Sequence, residues 1–161
     1  MTGEVHFSSM LDAAKFWTSK GFDVFPLKPM SDEPYEKYFI EHASHDIDKL
    51  KEWFTDEPIT DPPQCNIGTA FRLNSPLFDL DVDGFLNTRL REWRKFSRDK
   101  KIPRTLMQQT RSNNLHFTYK APFPMPYHLG VFGTATIRCG IKYSVRAPSV
   151  VLDKPINRVG H

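Results

Sequence analysis

The chain has 161 residues, of which 39% are hydrophobic and 25% charged, and its formal net charge is only +3. That length supports one compact domain with a buried core and falls short of two of ordinary size, so residues 1–161 are read as one unit. No apolar run approaches the roughly 18 residues of a membrane span, the start lacks a basic-then-apolar leader, and the two cysteines, Cys65 and Cys139, lack metal-type spacing; a protein of the reducing cytoplasm, away from membranes, is expected.

Ser9 stands where an N-cap belongs, with Asp12 three residues on, and Leu11, Ala14 and Trp17 recur at helical spacing up to Gly21, which predicts a first helix. Residues 22–27 predict a short strand, closed by a Lys28-Pro29 turn and a polar loop over 31–37. A second helix is expected from near Asp46, with Ile47, Leu50, Trp53 and Phe54 on one face, ending before Pro58 and a proline-rich connector to Pro63. Strands at 66–71 and 76–83 flank a turn at 72–75, and a third helix follows from about Phe85, with Leu86, Leu90 and Trp93 spaced by four and three.

After Pro103 the pattern turns to strands, at 105–109, 115–120, 134–138 and 143–147, separated by loops bearing Pro and Gly. Helices early and strands late indicate an α/β or α+β sheet domain rather than a helical bundle. Trp53, Trp93, Tyr143 and the phenylalanines read as core, and the cysteines as buried and inert.

Charge is unevenly placed. From Arg89 to Arg111 basic residues dominate, opposed only by Glu92 and Asp99, which makes Arg94, Lys95, Arg98 and Arg111 candidate nucleic-acid contacts; a solvated helix face followed by a basic loop gives the same pattern. Just before this stretch, Asp79, Asp81 and Asp83 alternate with Leu80 and Val82, so on a strand all three carboxylates share one face while the other face is buried. Like charges so close repel one another and raise each other's pKa, and a divalent cation removes that cost. Oxygen ligands from one or two carboxylates, completed by substrate phosphates, are how proteins commonly hold Mg2+ for phosphoryl chemistry. An N-cap with a simple Asp83-Gly84 turn accounts for Asp83 alone.

In chain order, Gly21-Phe22-Asp23-Val24-Phe25-Pro26-Leu27-Lys28-Pro29, His42-Ala43-Ser44-His45-Asp46, Trp53-Phe54, Asn66-Ile67-Gly68, Leu80-Asp81-Val82-Asp83-Gly84, Pro103-Arg104-Thr105, the segment from Thr110 through Ser112 and Asn114 to His116, Ile137-Arg138, Gly140-Ile141-Lys142-Tyr143 and Ala147-Pro148-Ser149 form an informative series. The series resembles the bifunctional primase-polymerase domain of the archaeo-eukaryotic primase superfamily, common in replication proteins of plasmids and phages, and spans nearly the whole chain. The resemblance implies a primase-like fold with a mixed or antiparallel central sheet flanked by helices.

It also implies a template-dependent DNA primase/polymerase, a nucleotidyltransferase using Mg2+ or Mn2+. Asp81 and Asp83 would be the metal ligands, His116 would join them in catalysis, and Ser112, Asn114, His116, Arg138 and Lys142 would contact the nucleotide. Partners would be template DNA, NTP or dNTP, and a helicase domain or another replication protein. Two departures stand out: the family's paired glycines are Asn113-Asn114, and Thr136 occupies the usual place of a third carboxylate. Thr136 keeps open a replication-initiation module that binds nucleic acid without turnover, and the acidic strand end alone would also suit a different metal-dependent phosphotransferase or nuclease.

Overall fold

A computed structural model describes residues 5–35, 39–71, 75–82, 87–109, 114–124, 130–132, 135–139, 142–151 and 154–155; at 39, 87–90, 130–132, 138, 142 and 154–155 it describes the backbone alone. The first helix, α1 (Met10–Ser19), starts as its sequence demands: the Ser9 hydroxyl accepts the Asp12 N–H at 3.0 Å, and the Asp12 carboxylate accepts the Ser8 N–H at 3.1 Å. These bonds satisfy amide groups that a helix start leaves without partners. α1 ends at Gly21, whose φ of +92° is costly for any residue with a Cβ. Strand β1 (Asp23–Leu27) follows, then a 3-10 turn (Phe39–His42), then α2 (Ile47–Trp53), capped by the Asp46 carboxylate on the Asp48 and Lys49 amides.

The rest alternates less regularly: β2 (Asn66–Phe71), β3 (Leu77–Val82), α3 (Asn87–Asp99), β4 (Leu106–Gln109), β5 (Leu115–Lys120), β6 (Gly130–Phe132), β7 (Ala135–Arg138), β8 (Lys142–Arg146), β9 (Val150–Val151) and β10 (Lys154–Pro155). The class is α+β, as expected, and the strand pairings are antiparallel. Where one central sheet was expected, the strands divide between a three-stranded sheet, β1-β2-β8, and a five-stranded sheet, β4-β5-β3-β7-β6, with β9 and β10 as a separate pair. Among the described residues no helix is long and apolar enough to cross a membrane. The expected start of the third helix at Phe85 and Leu86 lies outside the described residues.

Among the described residues three apolar clusters hold these layers. Met10, Leu11, Ala14 and Trp17 of α1 pack with Val24, Leu50, Phe54, Ile67 and Phe71, and Leu77 and Leu106 of the larger sheet reach the same cluster. On the opposite face of the smaller sheet Phe25, Leu27 and Ala70 meet Ala43 and the half-buried Trp53, Tyr143 and Val145. Gly68 belongs here for a steric reason: a Cβ at that position would come within 2.7 Å of the Phe25 ring, its cross-strand partner. The third cluster lies on one face of the larger sheet, where Trp93 of α3 covers Leu80, Val82 and Ala135. Both cysteines are buried, and burial pushes the Cys65 thiol up to about 11.

Two sequence motifs hold each other. The Asn66 side chain donates to Val150 O at 2.6 Å and accepts the Val150 N–H at 2.9 Å, and the buried Ser149 hydroxyl accepts the Ile67 N–H at 2.8 Å. Asn66-Ile67-Gly68 and Ala147-Pro148-Ser149 thus close the smaller sheet onto the segment that leaves β8.

The two sheets meet across a polar seam. Arg146 of β8 is wholly buried, and its guanidinium reaches Asp79 of β3 at 2.8 and 3.0 Å, the Thr69 hydroxyl at 2.7 Å and the Thr118 hydroxyl at 3.3 Å. Asp79, equally buried, also accepts from Thr118 at 2.6 Å and Ser144 at 2.8 Å. The rings of Trp17 and Phe22 lie 4.8 and 4.7 Å from the guanidinium carbon, within cation–π range. Gln108 of β4 brackets the same residue, donating to Val145 O at 2.7 Å and accepting the Ala147 N–H at 3.1 Å.

Burial alone would raise the Asp79 pKa, but the charges of Arg146 and His116 and the hydrogen bonds from Thr118 and Arg146 outweigh it and hold the carboxyl below its ordinary value. A carboxyl depressed on folding stabilises the native state above its unfolded pKa of about 3.9, and that contribution disappears as pH falls through the folded value. Stability should therefore decline from about pH 4 downward. Arg146→Met, which strands a buried charge, should cost about 3–5 kcal/mol in urea unfolding at neutral pH, should flatten that acid limb, and should be largely rescued by Asp79→Leu.

Candidate functional site

Alternation along β3 gives the larger sheet two unlike faces. Leu80 and Val82 point toward α3, so Asp79 and Asp81 point the other way. Register then fixes their neighbours: Asp81 lies opposite His116 of β5 and Thr136 of β7, Gln108 of β4 lies opposite His116, and Asp79 lies opposite Thr118 and Arg138. Paired residues of antiparallel strands share a face. Two rows result: the polar row Thr136–Asp81–His116–Gln108 nearer the end of β3, and behind it Arg138–Asp79–Thr118, which ends on the apolar Leu106.

Asp81 and His116 are each 7% exposed. His116 Nε2 lies 3.3 Å from Asp81 Oδ1, while Nδ1 lies 3.8 Å from Asp79 Oδ2, beyond hydrogen-bond reach. The imidazole thus stands between two carboxylates of different standing. Asp79 is neutralised by Arg146 inside the seam, whereas Asp81, two residues on along β3, is buried beside His116.

The sequence matches the family described as bifunctional DNA primase/polymerase, N-terminal, over residues 13–159. The chain belongs to that family. No match was found among curated proteins. A primase/polymerase domain of this kind acts, in general terms, in DNA replication on DNA and nucleotides, and enzymes of the family generally depend on a divalent metal.

Of the residues that sequence reasoning selected for this primase/polymerase domain, the structure brings Asp81 and His116 together and leaves others apart. Asp83, Ser112 and Arg111 lie outside the described residues, and at Arg138 and Lys142 only the backbone is described. Arg138 stands in register with Asp79, Lys142 starts β8, and Asn114 is half-buried immediately before β5. Arg94, Lys95 and Arg98 are exposed on α3, which covers the opposite face of the sheet, so they do not converge with Asp81.

Gln108, Thr118, Ser144 and Arg146, which position this face, were missed. Each sits at an alternating strand position, the pattern of a solvent-facing residue, and only the second sheet buries them.

Among the described residues no group of three or more His, Cys, Asp or Glu side chains gathers to hold a metal. Asp81 is a hard oxygen donor, 7% exposed, of the type that Mg2+ or Mn2+ takes, and substrate phosphates are further donors of the same kind. The ion pair to Arg146 separates the two acids: Asp79→Ala should lower the unfolding free energy by about 3–5 kcal/mol, while Asp81→Ala, which leaves that pair intact, should cost less, as read by urea denaturation of the two variants side by side.

Proposed function

We propose that the chain is a template-dependent nucleotidyltransferase of DNA replication, which joins an NTP or dNTP to a primer 3′-hydroxyl. The observation that supports this most is the pairing of Asp81 with His116, 3.3 Å apart on one polar sheet face, in a chain of the primase/polymerase family. In the reaction the 3′-oxygen bonds to the α-phosphorus and the bond to pyrophosphate breaks, the two oxygens roughly in line.

Asp81, with Asp83 two residues on, would hold Mg2+ or Mn2+. Such a cation, when bound, offsets charge on the attacking and leaving oxygens and lowers the pKa of the hydroxyl. His116, beside Asp81, would hydrogen-bond a triphosphate oxygen. Ser112 and Asn114 would cradle the phosphates from the loop before β5, with Arg138 and Lys142 as further cationic contacts. Arg94, Lys95, Arg98 and Arg111 would contact DNA by charge alone. A helicase domain or another replication protein would be the working partner, and the cytoplasm the setting.

A second reading, a replication-initiation module that binds nucleic acid without turnover, is favoured by one feature: Thr136, exposed, stands opposite Asp81 where the family usually supplies a carboxylate. Primer extension separates the two. With Mg2+ or Mn2+ and a labelled primer on its template, the native chain should extend and the Asp81→Ala, Asp83→Ala double variant should lose at least about 100-fold in rate; nucleotide binding without extension by the native chain would establish the second reading. Thr136→Asp adds a ligand of the missing type, and should tighten Mn2+ binding about tenfold in calorimetry without nucleotide, whichever reading holds.

A further inference from the structure

The α3 side of the five-stranded sheet carries a cleft that the proposed reaction does not use. Met107, Phe117 and Tyr119 form its floor, Trp93 and Ser97 of α3 form one wall, and the loop 102–105 closes the other. Its volume is about 180 Å³, less than the roughly 300 Å³ at which sites for drug-sized ligands begin. One flat ring suits that space better than a whole nucleotide or a larger cofactor.

The lining is aromatic and held in place. Tyr119 stacks on Phe78, ring centroids 5.7 Å apart at 27°, and its hydroxyl donates to Pro103 O at 3.3 Å. Phe117 is braced by Trp93 at 5.6 Å and 41°. Both floor rings remain half-buried rather than fully covered, so part of each is accessible. A packed core would have closed over them.

The helix and loop that wall the cleft belong to a strongly basic stretch, and Arg104 lines the cleft itself. Seven exposed Lys and Arg side chains fall between 91 and 104, with Arg94, Arg98 and the cleft residue Arg104 among them, against only Glu92 and Asp99. Among the described residues no carboxylate forms an ion pair with any of the seven. Aromatic faces set beside uncompensated cations are what a single nucleic-acid strand binds, its bases stacking while its phosphates follow the charge.

The geometry points to this cleft as a second nucleic-acid site, which takes one base of a single strand on Tyr119 and Phe117 while the neighbouring phosphates lie along α3 and the loop after it. It rests on the reading of the chain as a nucleic-acid-copying domain and assigns the basic stretch a place apart from Asp81. Because α3 and the acids are on opposite faces, a strand held here is not at the point of nucleotide addition. The cleft anchors a strand and does not present the base being copied.

The test is fluorescence anisotropy of a labelled oligothymidylate with the full chain, in EDTA and without nucleotide, alongside an abasic strand of equal length. The native chain should prefer the thymidine strand about tenfold, and Tyr119→Leu should remove that preference while Tyr119→Phe keeps it. Arg104→Ala should weaken both strands alike and lower the salt slope by about one. Equal binding of the two strands by the native chain overturns the cleft even if the leucine variant fails to fold. Primer extension by the same protein is scored separately: extension without base preference overturns only the cleft, and base preference without extension overturns only the polymerase reading.

Discussion

The Asp79–Arg146 ion pair is the constraint on which the rest of the molecule depends. Both groups are wholly out of water, a placement that carries a desolvation penalty of several kcal/mol per ion unless hydrogen bonds fill the remaining valences. Thr69, Thr118 and Ser144 supply those bonds, each from a different strand, and Trp17 and Phe22 add ring faces above the guanidinium. Such a cluster is satisfied in only one relative placement of the two sheets. An apolar seam would be as stable and could slide; this one cannot shift by a residue without leaving a buried charge alone.

That rigidity is transmitted to Asp81 through the pleat. Side chains two apart on a strand share a face, so fixing Asp79 in the seam also fixes the direction in which Asp81 leaves it. His116 is held the same way, as the register partner of Asp81, with Gln108 beyond it pinned to the backbone on either side of Arg146. The polar row near the end of β3 is therefore carried by strands alone, which place functional groups more tightly than loops do. α3 completes the arrangement from behind by burying Leu80 and Val82, so the two faces of β3 are stabilised by opposite chemistry.

Much of this was legible in the sequence, for local reasons. Ser9 with Asp12, and Asp46, mark helix starts because capping is decided within four residues, and the strands 66–71 and 115–120 coincide with those observed because alternation is a local pattern. The pairing of Asp81 with His116 was reached through the order of motifs, since 35 residues separate them and no periodicity links them. What escaped is non-local. Arg146 looks like an exposed strand residue until the second sheet is placed over it, and Asp79, 67 residues away from it, looks like a third member of an acidic cluster. Strands of two or three residues, such as β6, β9 and β10, are too short to show a period at all.

The separation of Asp79 from Asp81 also bears on how a cation would be held under the proposed function. Arg146 removes the charge of one carboxylate from this face, and Thr136 stands opposite Asp81 without supplying another. Under that reading Asp81 and Asp83 would be too few ligands to hold Mg2+ tightly without help, because that ion keeps its waters unless several anionic oxygens compete for it. Triphosphate oxygens would be the further ligands. Metal and nucleotide would then bind as a unit, each weak alone and each raising the affinity of the other by the same factor, as linkage requires.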